Sequence, residues 1–235
     1  SLKTLSKMQK KLEEDGFINA GEIDISDEFT NRAYLGRINV PVSIRSTYYL
    51  INTFDLGPYK ISTQKTDRIE NYAIRLREII DLIKFKTGSE KVHIVAHSMG
   101  GLVAREYINL FGEKNIGKIV MISVPNTGLD KNVVNLCKVT GADSECEDMA
   151  KGGVFLKRLN ALQTSIDVPI LNILGQGCKN GGDGVLRKED GYLEFAKNVY
   201  VNGTCSDYFE TEMHLKMIDP KEYEEVYDLV LNFLK

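Results

Sequence analysis

The chain has 235 residues, 43% hydrophobic and 27% charged, with a net charge of −3 and a sequence pI near 5.7. That length suits one α/β domain with a full-sized core, and the mildly acidic balance offers no footprint for nucleic acid or an anionic membrane. No apolar run reaches the length of a membrane span and no signal peptide is visible at the start, so the chain reads as soluble.

In chain order, Leu2, Leu5, Met8 and Leu12 share one face of a helix over residues 2–15, which Gly16 ends. Phe17 to Arg37 is irregular and polar, with short β-like pieces. Asn39 to Ile51 alternates and is rich in Val, Ile, Thr and Tyr, so it reads as one strand. It leads to a loop region with Tyr48, Tyr49 and Tyr59, tyrosines that pack or wall an acyl pocket. Asp67 to Lys86 spaces Ile69, Ala73, Leu76, Ile79, Ile80 and Ile83 as an amphipathic helix closed by Gly88. Lys91 to Ala96 is a buried strand, and Leu102 onward is helical again. Gly117 to Val124 is a near-continuous apolar run, as a strand covered on both faces requires. Residues 129–164 hold no clear strand; Val154 through Leu162 is a late amphipathic piece, and an excursion of this length is where a lid is carried. Val168–Leu174 and Lys197–Val201 are two further strands, and Asp219 to Lys235 forms a terminal helix with Pro220 in its first turn. Strands alternating with helices predict an α/β fold, a mostly parallel sheet with helices on both faces.

The turn between the fourth and fifth of these segments carries the chemistry. Ala96-His97-Ser98-Met99-Gly100-Gly101 joins a strand to a helix around a small-x-Ser-x-Gly core, the pattern of the nucleophile elbow. A serine there is held in a strained backbone region, so the positions two before and two after, Ala96 and Gly100, must be small. An elbow serine is followed along the chain by an acid and then a histidine. Of the three histidines, His93 lies inside the strand, His97 lies beside the serine, and only His214 follows the last strand. Asp183, in Gly181-Gly182-Asp183-Gly184 after the next-to-last strand, is favoured as the acid by that order. Asp190 and Asp207 compete, although Asp207 lies too near His214 along the chain. Asp143, Glu145, Glu147 and Asp148 read as a solvated face of the excursion. The Met99 backbone N–H at the helix start supplies one oxyanion donor.

Four cysteines fall in two local groups, Cys137 with Cys146 and Cys178 with Cys205. The even count suggests two disulfides and an extracytoplasmic or secreted setting; buried free thiols, or the cytosol of some hyperthermophiles, are the alternatives. Asn202-Gly203-Thr204 matches a glycosylation triplet, which also arises easily by chance.

Together, KVHIVAHSMGGLVAREYI, IVMISVPNTG, GGDGVL and the late His214 resemble the lipase-type α/β-hydrolases: bacterial and archaeal lipases and the cholesterol-acyltransferase- and GPI-inositol-deacylase-like groups. The resemblance implies an α/β-hydrolase fold across residues 1–235, with residues 129–164 as the lid that selects substrate and the SVPNTG loop lying over the site. It implies hydrolysis of carboxylic acyl esters, as a lipase or esterase, by Ser98, Asp183 and His214, without cofactor or metal. Tyr48, Tyr49 and Phe155 are the expected substrate contacts, and the lid could touch a lipid surface. Acyl transfer, or deacylation of a lipid-linked glycan, uses the same triad. A catalytically weak binding protein is the reading from another class. Its support is one departure: no His-Gly strand precedes the first helix, so the segment that gives such lipases their second oxyanion donor is expected to lie in a missing N-terminal part or elsewhere. Loss of one such donor costs about 10²–10³ in turnover.

Overall fold

The computed structural model describes residues 2–24, 40–56, 59–139, 142–206 and 211–235. Helix α1 (Leu2–Glu14) leads to β1 (Ile18–Asp24), which pairs in parallel with β2 (Val42–Thr47). Strands β3 (Leu50–Leu56) and β4 (Tyr59–Lys65) form an antiparallel hairpin. Helix α2 (Ile69–Thr87) then precedes β5 (Val92–His97), α3 (Met99–Phe111) and β6 (Ile116–Ile122). Three short helices follow, α4 (Lys131–Val139), α5 (Asp143–Asp148) and α6 (Val154–Leu162). The chain closes with β7 (Ile170–Gln176), α7 (Lys188–Gly191), β8 (Lys197–Asn202), α8 (Glu212–Lys216) and α9 (Glu224–Leu234).

The central sheet is parallel in the order β5-β6-β7-β8. Successive side chains on a strand point to opposite faces, and β6 shows the consequence. Ile119 and Met121 join a core with Ile69, Tyr72, Leu76, Leu102, Val103, Leu156 and Leu159, from α2, α3 and α6. Val120 and Ile122 join a second core with Met8 and Leu12 of α1 and Val226, Tyr227 and Val230 of α9. Helices therefore cover both faces, which is why β6 is apolar without alternation. Met121, Ile122, Ile119 and Val120 are all fully buried.

Three expectations change. The single strand over 39–51 is two: β2 stops at Thr47, whose hydroxyl accepts from the Tyr49 N–H at 3.3 Å, and a separate hairpin begins at Leu50. The terminal helix starts at Glu224, five residues later than its periodicity predicts. Asp219 instead organises a turn: its carboxylate accepts the Lys221 N–H at 3.1 Å, its carbonyl accepts Glu222 and Tyr223 N–H, and Lys7 pairs with it. Only half of the acidic residues of α5 are the solvated face that the sequence suggests. Glu145 and Asp148 are buried. The Tyr72 hydroxyl donates to Glu145, and Asp148 accepts from Arg68 at 2.8 Å and from the Ile69 N–H at 2.9 Å, satisfying an orphan donor at the start of α2. Asp143 and Glu147 face outward, Glu147 bonded to Lys138. Early Phe17–Arg37 falls partly on residues 25–37, outside the described residues.

Segment 129–164 is held at several points. A bridge joins Leu129 to Ala150, and a disulfide joins Cys137 in α4 to Cys146 in α5. A second disulfide joins Cys178, after β7, to Cys205, after β8. Among the described residues no helix is long and apolar enough to cross a membrane.

Candidate active site

Strand β5 ends at His97, and α3 begins at Met99; Ser98 between them has φ 53° and ψ −130°. A non-glycine residue at positive φ is strained, and such strain is held only where the surroundings over-determine it. Here the Ser98 N–H donates to Ile122 O at 2.9 Å, and its carbonyl accepts the Gly101 N–H at 3.0 Å. A Cβ at Gly100 would make ordinary contacts, 3.6 Å to Tyr48 Oη and 3.7 Å to Ala96 Cβ. A Cβ at Gly101 would lie 2.2 Å from Val124 Cγ2, so Gly101 is the position that sterics force to be glycine.

The acid is built by the loop after β7. Asp183 is fully buried. Its Oδ1 accepts the N–H groups of Val185 (3.0 Å) and Leu186 (2.9 Å), and its Oδ2 faces His214 Nδ1 at 2.8 Å. Gly182 permits this loop, since a Cβ there would sit 1.9 Å from Leu186 O. Burial pushes the Asp183 carboxyl up, but its bonds to His214 and Leu186 outweigh this and hold it below the usual range, so it stays ionised.

His214 lies in the one-turn helix α8 and is buried. With its Nδ1–H given to Asp183, Nε2 is left as an acceptor, and Ser98 Oγ stands 3.1 Å from it. The His214 N–H donates to Asp183 O at 3.2 Å. Ser98, His214 and Asp183 therefore form one hydrogen-bonded chain drawn from three separate stretches of the chain. Met99 N–H opens α3 behind Ser98, at the positive end of the helix dipole.

The other acidic candidates are engaged elsewhere. Asp190 is buried and pairs with Lys151, and Asp207 lies outside the described residues. Tyr48 and Tyr49 stack with Tyr72, ring centroids 4.9–5.0 Å apart, beneath α5. Phe155 is buried in the core beside α3, with the Arg158 guanidinium over its ring. Among the described residues no group of His, Cys, Asp and Glu stands together that could hold a metal ion.

Two features escaped sequence reasoning. His97 Nε2 contacts the His214 carbonyl at 2.8 Å, and the two rings lie 4.7 Å apart. Arg105 of α3, fully buried, donates to Gln163 (2.8 Å), Asn126 (3.1 Å) and Asn160 (2.8 Å). Asn126 in turn donates to Gly191 O at 2.7 Å, so one guanidinium fastens the loop after β6 to α3 and α6. Burial pulls the Arg105 guanidinium down to about 10. Its place as the fourth residue of LVAREY, after three apolar residues of a helical stretch, is the only sequence signal it gives.

A parallel sheet, a strained serine between strand and helix, and an acid and histidine on later loops define the α/β-hydrolase fold, and this chain has it. A family model described as "alpha/beta hydrolase fold" matches residues 45–138. Among solved structures, a lipase of Bacillus licheniformis in its mature form aligns over 92% of this chain and 92% of its own, with TM-score 0.60 and 11% identity. A gene product of Listeria innocua aligns over 100% of this chain and 89% of its own, with TM-score 0.59 and 16% identity. A carboxylesterase of Bacillus subtilis aligns over 93% and 84%, with TM-score 0.52 and 11% identity. No curated protein matches the chain. At such identities the likeness carries the fold alone.

Proposed function

We propose that the protein is a serine hydrolase of carboxylic acyl esters, an esterase or lipase, with Ser98 as nucleophile, His214 as base and Asp183 as its orienting acid. The observation that carries this is the contact series Ser98 Oγ–His214 Nε2 at 3.1 Å and His214 Nδ1–Asp183 Oδ2 at 2.8 Å. His214 takes the Ser98 proton as Oγ attacks the ester carbonyl. The Met99 N–H donates to the oxyanion. Collapse of the tetrahedral species expels the alcohol, which takes its proton from His214. Water, activated by the same imidazole, then releases the acid and restores Ser98. Asp183 keeps the proton on Nδ1 and stabilises the imidazolium between the two transfers.

The structural neighbours named as a lipase and a carboxylesterase agree with an ester substrate. Residues 129–164 are the proposed cap, fastened to α2 through Glu145 and Asp148. Its exposed Leu136 (64%) and Val139 (83%) favour an apolar acyl chain or lipid surface as what it meets. Two disulfides favour an oxidising, extracytoplasmic compartment. The test is hydrolysis of p-nitrophenyl esters from acetate to palmitate by the protein and by Ser98→Ala. Activity that disappears in the variant supports the reading, and the chain-length profile separates esterase from lipase; activity that survives the substitution overturns it.

A further inference from the structure

We propose that His97 is a positioning residue for the base: through its hydrogen bond to the His214 carbonyl it sets the His214 imidazole between Asp183 and Ser98. The inference rests on the triad reading above and adds a fourth member that does not touch substrate.

Helix α8 ends at Lys216, so the His214 carbonyl is among the last four of its helix, which must find donors outside the helical ladder. His97 Nε2 supplies that donor at 2.8 Å. The other side of the same peptide is held by the His214 N–H on Asp183 O at 3.2 Å. The base is thus clamped at both backbone polar groups and at Nδ1, which leaves Nε2 as the ring's one free apex. Met213 anchors this short helix in the core, but proton transfer demands that the imidazole itself be fixed to a few tenths of an ångström, which the clamp supplies.

The position of the clamp in the chain matters as much as its chemistry. His97 directly precedes Ser98 on the end of β5, where it pairs with Ile122 in the parallel ladder. Nucleophile and clamp therefore share one rigid strand end, and the distance from Oγ to the base is measured from a single fixed point. Donation from Nε2 makes His97 the Nε2–H tautomer. Burial, with the neighbouring His214 adding to it, pulls its pKa from 6.5 to about 3, so the ring stays neutral beside the imidazolium that forms in each turnover.

The test pairs two variants with one measurement on the unmodified protein. His97→Phe keeps a flat ring and removes the donor; His97→Gln keeps an N–H donor and loses the ring. The expected result is a fall in kcat of about 10- to 100-fold in His97→Phe with KM within twofold, and recovery of most of that loss in His97→Gln. An unchanged kcat in His97→Phe, or an equal loss in both variants, overturns the proposal in favour of ring packing. Nitrogen-15 spectra of the wild-type histidine rings need no variant to fold. They should show His97 as the neutral Nε2–H tautomer from pH 8 to pH 5, and an Nδ1–H tautomer or titration near 6.5 contradicts the clamp. If the wild type cleaves no ester, the triad reading fails while the spectra still report on the clamp.

Discussion

Replacing Gly101 by Ala sets two effects against each other. Helix propensity alone favours the change by up to about 1 kcal/mol, because Gly101 lies in the first turn of α3. Sterics oppose it. The new methyl would stand 2.2 Å from Val124 Cγ2, 2.8 Å from Cγ1 and 3.0 Å from Cβ, against a normal carbon–carbon approach of roughly 3.5–4.0 Å. Rotation of Val124 moves its methyl groups but not its Cβ, which stays at 3.0 Å, and Val124 is fully buried among other core side chains. Overpacking of this kind costs about 1–3 kcal/mol, and the severity of the overlap puts the net effect at about 2 kcal/mol of destabilisation. Val124→Ala alone removes two buried methyl groups and costs about 2 kcal/mol by transfer and cavity terms. In the double variant only the 3.0 Å approach to Cβ remains. The two changes should then be less costly together than their sum by at least about 1 kcal/mol. Urea unfolding of the four proteins measures this directly. Additive losses, or a Gly101→Ala protein as stable as the parent, would refute the steric reasoning.

Two further outcomes follow from the same structure. A half-buried His97 whose desolvation holds it neutral, with a pKa near 3, takes up no proton where the unfolded chain's histidine, with pKa near 6.5, does. The sign is therefore loss of stability as pH falls below 6.5, amounting to about 2 kcal/mol at pH 5. Urea midpoints at pH 7.5 and 5 should fall less steeply in His97→Gln by that amount; parallel slopes in the two proteins speak against a ring held neutral. The disulfides close loops of different length, with sequence separations of 27 for Cys178–Cys205 and 9 for Cys137–Cys146. On a chain-entropy basis the paired Cys→Ala substitutions should cost about 3.5 and about 2.5 kcal/mol respectively. Thermal unfolding that ranks them the other way would show that native-state packing, not loop closure, decides.

What could be read from residues alone was whatever local chemistry determines. The serine elbow was legible because strand, turn and helix signals fall within fifteen residues, from Lys91 to Arg105. Parallel strands under helices on both faces left unbroken apolar runs such as Ile119–Ile122. The hairpin Leu50–Lys65 was missed, although Gly57-Pro58 between two alternating runs is a turn signal. The start of α9 was misplaced because Pro220 suits a first helical turn, while the tertiary contact from Lys7 and the turn at Asp219 pre-empt it. Glu145 and Asp148 look solvated along the chain and are buried only because Tyr72, Arg68 and the start of α2 arrive from some eighty residues away. His97 gave the same difficulty. Its partner is a backbone carbonyl 117 residues distant, which no side-chain pattern encodes.

An activated Ser98 nucleophile reacts with electrophilic phosphonates. Labelling the purified protein with a fluorophosphonate, followed by intact mass and peptide mapping, tests it without knowledge of the natural substrate. One adduct per chain is expected, on the peptide holding Ser98, and none in Ser98→Ala. An unlabelled wild type, or an adduct that persists in the variant, would contradict it.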